Sequence, residues 1–128
     1  MNLHIESVDD VKVIRVKEEK LVYPVLGDFY RKVSELVEAG ATKLVIDLAE
    51  VSYIDSASIG CLMDVHRLLQ DRGGSLRLAG LQPWVETMVK MTGVQKVVPL
   101  HPNEDDALTA FSSPGGEGEV ARQIGGVR

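Results

Sequence analysis

A strand, a polar loop and a helix follow one another between residues 43 and 71, and this succession constrains the fold more than any other feature of the sequence. Residues 43–48 are apolar almost throughout, which is typical of a strand covered on both faces. After the loop, an apolar stripe recurs at helical spacing: Ile59, Leu62, Met63, His66 and Leu69. A strand buried on both sides needs helices packed on its sheet, so we expect an α/β domain.

The loop reads Val51-Ser52-Tyr53-Ile54-Asp55-Ser56-Ala57-Ser58-Ile59-Gly60 and carries the candidate functional residues. Asp55, Ser56 and Ser58 each offer a side-chain oxygen that can cap the helix. A second interpretation is a modifiable serine, because a phosphoserine would lie among unpaired N–H groups at the positive end of the helix dipole. Considered alone, these residues leave both interpretations open.

The remaining elements follow from periodicity and from glycine and proline positions. Residues 3–8 and 11–16 predict a hairpin, 21–23 a short edge strand ended by Pro24, and 75–79 and 96–98 two further strands. Helices are predicted from Gly27-Asp28 to Gly40 with Asp28 as cap, from Ala57 to Asp71, from Pro83 to Thr92, and after Asn103. We therefore expect a mixed sheet of about five strands, in the order βββαβαβαβα, with about four helices largely on one face.

Two segments are predicted: a domain over residues 1–111 and a disordered tail over 112–128, where apolar anchors are too few to fold. A net charge of −5 disfavours a nucleic-acid or acidic-membrane surface. The N-terminus lacks a signal-peptide pattern and no apolar run approaches 18 residues, so we expect a cytoplasmic protein.

Enzymatic and metal-binding chemistry is not indicated. Cys61 is the single cysteine and is expected in the core, while His4, His66 and His101 fall on different elements, so we expect no metal and no cofactor. His66 is expected to be partly buried and hydrogen-bonded. Asp47 is either a paired carboxylate at a strand end or part of an acidic site around Ser56. A triad of Ser56, His66 and Asp47 lacks a nucleophile elbow, so we expect no catalytic residues.

The decapeptide resembles the signature of anti-sigma factor antagonists, the stand-alone STAS domains of bacteria, usually written Asp-Ser-(Ser or Thr)-Gly-Leu-Gly. The resemblance covers about residues 3–111 and includes Gly73-Gly74-Ser75-Leu76 and Met91-Thr92-Gly93-Val94. It implies the STAS fold and a protein-interaction switch in which an anti-sigma factor serine kinase phosphorylates the serine after the aspartate. That serine is Ser56, with Ser58 as the runner-up.

The same resemblance implies that the unphosphorylated domain binds the anti-sigma factor and releases a sigma factor, and that a serine phosphatase resets it. The expected partner surface comprises Asp55, Ser56, Ala57, Ser58 and Tyr23. The alternative is a STAS module that is never phosphorylated, such as a scaffold subunit of a signalling or lipid-transport assembly. The Ala57-Ser58 pair and Glu19-Lys20-Leu21-Val22, where the family usually has Gly-Glu-Leu-Asp, favour this alternative. The sequence leaves the oligomeric state open.

Overall fold

A computed structural model describes residues 1–112 of the chain, and its centre is a five-stranded mixed sheet. The strands are β1 (Leu3–Val8), β2 (Val11–Val16), β4 (Lys43–Asp47), β6 (Ser75–Ala79) and β7 (Leu100–His101), in the spatial order β1-β2-β4-β6-β7. Within this sheet, β1 is the strand that runs antiparallel to its neighbour, as the first arm of the predicted hairpin. A separate two-stranded ribbon pairs β3 (Lys20–Leu21) with β5 (Tyr53–Ile54) in parallel.

Four α-helices cover the sheet: α1 (Tyr23–Glu38), α2 (Ser56–Gln70), α3 (Pro83–Met91) and α4 (Glu104–Ser112). The first three share one large core with Leu44 and Ile46 of the central strand. On the other face, α4 places Ala107 and Phe111 against Val45 and its neighbours. For residues 1–112, the α/β class, the mixed sheet of five strands with four helices, and the burial of β4 on both faces are confirmed.

The predicted start of α1 is wrong by one turn. The helix begins at Tyr23, and Pro24 lies in its first turn, where a proline costs no hydrogen bond, instead of ending a strand. Asp28 is not a cap; it forms ion pairs with Arg31, Lys32 and the N-terminal ammonium. The strand predicted at residues 21–23 is correspondingly shifted to Lys20–Leu21.

The last predicted strand is also displaced. Gly93 adopts a left-handed conformation at φ 81°, and residues Val94–Lys96 then form a single 3₁₀ turn that buries Val94. The strand lies at Leu100–His101, beyond Pro99. An unpredicted strand, β5, lies inside the decapeptide.

Helix α4 ends at Ser112, one residue beyond the predicted domain boundary. The rest of the predicted tail, residues 113–128, lies outside the described residues. Within residues 1–112, no helix is both long and apolar enough to cross a membrane.

Candidate functional site

The carboxylate of Asp55 joins the N-termini of two helices. Its Oδ1 accepts a hydrogen bond from the backbone N–H of Ser58 at 2.9 Å, and its Oδ2 accepts one from the backbone N–H of Tyr23, also at 2.9 Å. The backbone N–H of Asp55 in turn donates to the Ser58 hydroxyl at 3.0 Å, which completes a reciprocal capping box. One side chain therefore accepts a hydrogen bond from an amide in the first turn of both α1 and α2.

The electrostatics of Asp55 match this role. Desolvation on its own would raise the pKa of the carboxyl, but the hydrogen bonds from the Tyr23 and Ser58 amides outweigh it and lower the pKa. Asp55 is thus ionised at neutral pH and places a negative charge where two positive helix ends meet.

The two candidate serines have different environments. Ser56 is the first residue of α2 and is exposed. Ser58 is completely buried, and its hydroxyl donates to the carbonyl oxygen of Asp55 at 2.6 Å while it accepts from the Asp55 amide. Only Ser56 offers its hydroxyl to a second protein without an opening of the helix end.

A groove runs between α1 and α2 from the point where Asp55 joins them, and it has a volume of about 560 Å³. On α1 it is lined by Tyr23, Leu26, Gly27 and Tyr30, with Pro24 at the side. On α2 it is lined by Ala57, Gly60, Cys61 and Asp64. We call this feature the α1–α2 groove. It brings together two predicted partner-binding residues, Tyr23 and Ala57, that are distant in the sequence.

The groove residues other than Tyr23 and Ala57 were not predicted as functional. Each wall follows the i, i+3, i+4, i+7 spacing of one helix face, and each wall contains a glycine. That spacing is visible on α2 from the sequence. On α1 it was hidden because Gly27 was interpreted as the residue before the helix.

An exposed aromatic pair lies beside the same helix end. The rings of Tyr53 and Trp84 stack with their centroids 6.5 Å apart and an interplanar angle of 12°, and each residue keeps almost half of its surface exposed. Trp84 was predicted only as an edge residue of α3, and nothing in the sequence indicated that it stacks on Tyr53.

The imagined catalytic triad is not assembled. Asp47 accepts a hydrogen bond from the Ala49 amide at 2.8 Å and shares another with Glu104, so the interpretation as a paired carboxylate holds. His66 follows Ser56 by ten residues of α2, about 15 Å along the helix axis.

The two other side chains considered for chemistry, His66 and Cys61, are both buried. His66 was expected to be partly buried and hydrogen-bonded. It is buried, its Nδ1 makes no hydrogen bond in the described part of the chain, and burial lowers its pKa. Burial, together with the charge of Asp64, raises the pKa of Cys61 to about 11, which keeps it a neutral thiol. In residues 1–112, no group of three or more His, Cys, Asp or Glu side chains could hold a metal ion.

The family is shown by comparison with known proteins. Residues 2–107 match the family described as the STAS domain, so the chain belongs to the STAS domain family. Its relatives include an anti-sigma-B factor antagonist of Bacillus subtilis, 30% identical over 105 residues that cover 78% of this chain and 92% of that protein. An anti-sigma F factor antagonist of Paenibacillus polymyxa is 29% identical over 66 residues, which cover 52% of this chain and 56% of that protein.

Solved structures agree with this assignment. An anti-sigma factor antagonist from Mycobacterium paratuberculosis superimposes with a TM-score of 0.80 at 25% identity, covering 88% of this chain and 94% of that one. The unphosphorylated form of the anti-sigma factor antagonist SpoIIAA gives a TM-score of 0.75 at 21% identity over 87% of this chain and 96% of that one. The phosphorylated form of SpoIIAA, from Bacillus, gives a TM-score of 0.68 at 20% identity, covering 86% of this chain and 99% of that one. The STAS fold is therefore confirmed.

Proposed function

We propose that this chain is an anti-sigma factor antagonist whose binding is switched by phosphorylation of Ser56. In its unphosphorylated form the domain binds an anti-sigma factor that is also a serine kinase, and a sigma factor is released. A serine phosphatase restores the binding form. The protein acts by binding and not by catalysis, in the bacterial cytoplasm. The observation that carries the proposal is the exposed Ser56 hydroxyl at the junction of two helix N-termini.

The geometry favours Ser56 over Ser58 as the phosphate acceptor. A kinase has to reach the hydroxyl, and Ser58 is fully buried with its hydroxyl engaged in the capping box. A phosphate on Ser56 would lie at the N-terminus of α2, whose dipole stabilises a nearby anion by roughly 0.3–1 kcal/mol and so offsets repulsion by the Asp55 carboxylate. The domain can therefore carry the modification without unfolding.

The switch acts at the interface. Phosphorylation adds about −1.5 to −2 charges. Placing that charge against an acidic or apolar surface of the anti-sigma factor costs several kcal/mol. Because about 1.4 kcal/mol corresponds to a tenfold change in affinity, phosphorylation lowers binding by two orders of magnitude or more.

The proposal is tested by intact-mass measurement and fragmentation of the protein purified from its native cells, under resting and stressed conditions. We expect one phosphate on Ser56, with an occupancy that changes between the conditions. A Ser56→Ala variant, expressed in the same cells, should carry none. A phosphate that persists in this variant would place the modification on another residue.

A second candidate is a STAS module that is never phosphorylated and serves as a scaffold subunit. The Ala57-Ser58 pair favours it, because Ser58 has a complete structural role in the capping box. Absence of phosphate under all conditions, in cells that contain a kinase of this type, would decide for the scaffold.

A further inference from the structure

The two glycines of the α1–α2 groove lack a structural reason to be glycine. Gly27 and Gly60 lie inside helices and do not have a positive φ, and a Cβ at either position would meet nothing within 4 Å. Alanine at both positions would favour the helices. Gly74 is different, because a Cβ there would lie 2.1 Å from the carbonyl oxygen of Thr42. Because glycine has no side chain, the groove is open at both positions.

The direction of the helices fixes the two ends of the groove. Strands β2, β4 and β6 are parallel, so the helices that connect them run parallel to each other. Tyr23 and Ala57 therefore lie at the end near Ser56, and Tyr30 and Asp64 lie at the far end. Eight residues of helix separate Ser56 from Asp64, a rise of about 12 Å.

The chemistry of the lining selects one kind of side chain. Asp64 is the single charged residue among those that line the groove, and the thiol of Cys61 is neutral. The walls between are apolar or aromatic. Asp64 pairs with Arg67 on its own helix, and both side chains are more than half exposed, so this pair contributes little and can be exchanged. A long aliphatic stem that ends in a cation complements this surface.

We propose that the α1–α2 groove receives an arginine or lysine side chain of the anti-sigma factor, with its stem over Gly60 and its cation at Asp64 and the ring of Tyr30. This inference rests on the proposed function. Asp64, the proposed partner of the cation, is displaced from Ser56 by about 12 Å along the α2 axis, farther than the Debye length of about 8 Å at physiological salt. The contact at Asp64 therefore determines the specificity for one anti-sigma factor. The phosphorylation state of Ser56 determines whether that anti-sigma factor is bound.

The test measures the affinity of variants for the purified anti-sigma factor kinase that phosphorylates the chain with ATP. Gly60→Leu fills the groove, and Asp64→Asn removes its charge. We expect each to weaken binding at least tenfold, and we expect added salt to weaken binding of the wild type more than that of Asp64→Asn. Gln70→Leu is the matched control, because it adds the same exposed side chain at the other end of α2. Thermal unfolding establishes that all variants fold.

A charge exchange identifies the partner residue. Asp64→Lys should abolish binding, and a Glu in place of one arginine or lysine of the kinase should restore it. If Gly60→Leu and Asp64→Asn bind like the wild type while Ser56→Asp does not bind, the groove proposal is overturned and the proposed function stands. If the wild type itself neither binds such a kinase nor is phosphorylated by it, the proposed function fails and the groove proposal fails with it.

Discussion

At the scale of single residues, Asp55 has a structural role that its position in the loop only partly indicates. Its side chain caps α2, as an aspartate before a helix commonly does. It also accepts a hydrogen bond from the backbone N–H of Tyr23, the first residue of α1, which lies 32 positions earlier in the chain. The residue beside the proposed phosphate acceptor thus holds together the two helices that form the groove.

Replacement of Asp55 by alanine removes both caps. We expect Asp55→Ala to lower the free energy of unfolding by about 2 kcal/mol, since each cap contributes about 1 kcal/mol. Asp55→Asn retains one side-chain oxygen and can cap only one of the two helices, so it should lose about half of that. Urea denaturation measures the stability, and hydrogen exchange measures protection of the Tyr23 amide. Unchanged protection of that amide in Asp55→Ala would contradict the double-cap assignment.

At the scale of elements, the sequence predicts those helices and strands whose pattern of apolar, glycine and proline residues lies within the element itself or directly beside it. The β1–β2 hairpin, the central strand, β6 and the start of α3 at Pro83 all have such signals and are confirmed. The start of α1 was wrong because Val22, its N-cap residue, provides no side-chain cap. The acceptor that replaces this cap is Asp55, and no local pattern contains it.

The same limit applies to the candidate site. The sequence indicated Asp55, Ser56 and Ser58 because capping residues before an apolar stripe form a local signal. It could not rank the serines by accessibility, because the burial of Ser58 depends on packing of the whole helix against the core. The groove was missed because its two walls come from helices whose relative position is set by the sheet.

Helix α4 is held to the sheet by a charged cluster that responds to pH. Glu104 at its start binds Arg15 with two hydrogen bonds, at 2.6 and 2.8 Å, and shares another with Asp47. The Arg15 hydrogen bonds lower the pKa of Glu104 to about 2. Burial, and then the hydrogen bond with Glu104, raise the pKa of Asp47 to about 6. When this carboxyl pair holds one proton, Asp47 therefore carries it and donates the hydrogen bond to Glu104.

The raised pKa of Asp47 predicts the sign of a stability change. Because the folded pKa of about 6 lies above the ordinary value of 3.8, the stability that Asp47 contributes is fully present below about pH 4, is lost as the pH rises from about 4 to about 6, and does not change further above 6. Asp47→Asn should imitate the protonated form and raise the free energy of unfolding at pH 7.5 by on the order of 1 kcal/mol. The gain should vanish near pH 4 in urea denaturation.

Glu104→Gln is the control for this cluster, because it weakens the pairing with Arg15 and should destabilise the protein at pH 7.5. A lower stability of Asp47→Asn than of the wild type at pH 7.5 would contradict the assignment of the raised pKa.

At the scale of the whole molecule, one face of the domain carries both the helix junction at Ser56 and the α1–α2 groove. The sheet fixes α1 and α2 in parallel, and Asp55 joins their N-termini. Ser56 is exposed at that junction, and the groove extends away from it. Phosphorylation can therefore change the charge of this face while the core and the capping box remain intact.

The most direct test of the proposed switch is the affinity of the domain for the proposed anti-sigma factor kinase, measured with and without phosphate on Ser56. The phosphorylated chain should bind at least 100-fold more weakly, a difference of about 2.7 kcal/mol. Ser56→Ala should bind like the unphosphorylated chain, and the phosphorylated chain should remain folded at the temperature of the measurement. Equal dissociation constants for the phosphorylated and unphosphorylated chains would contradict the proposed switch.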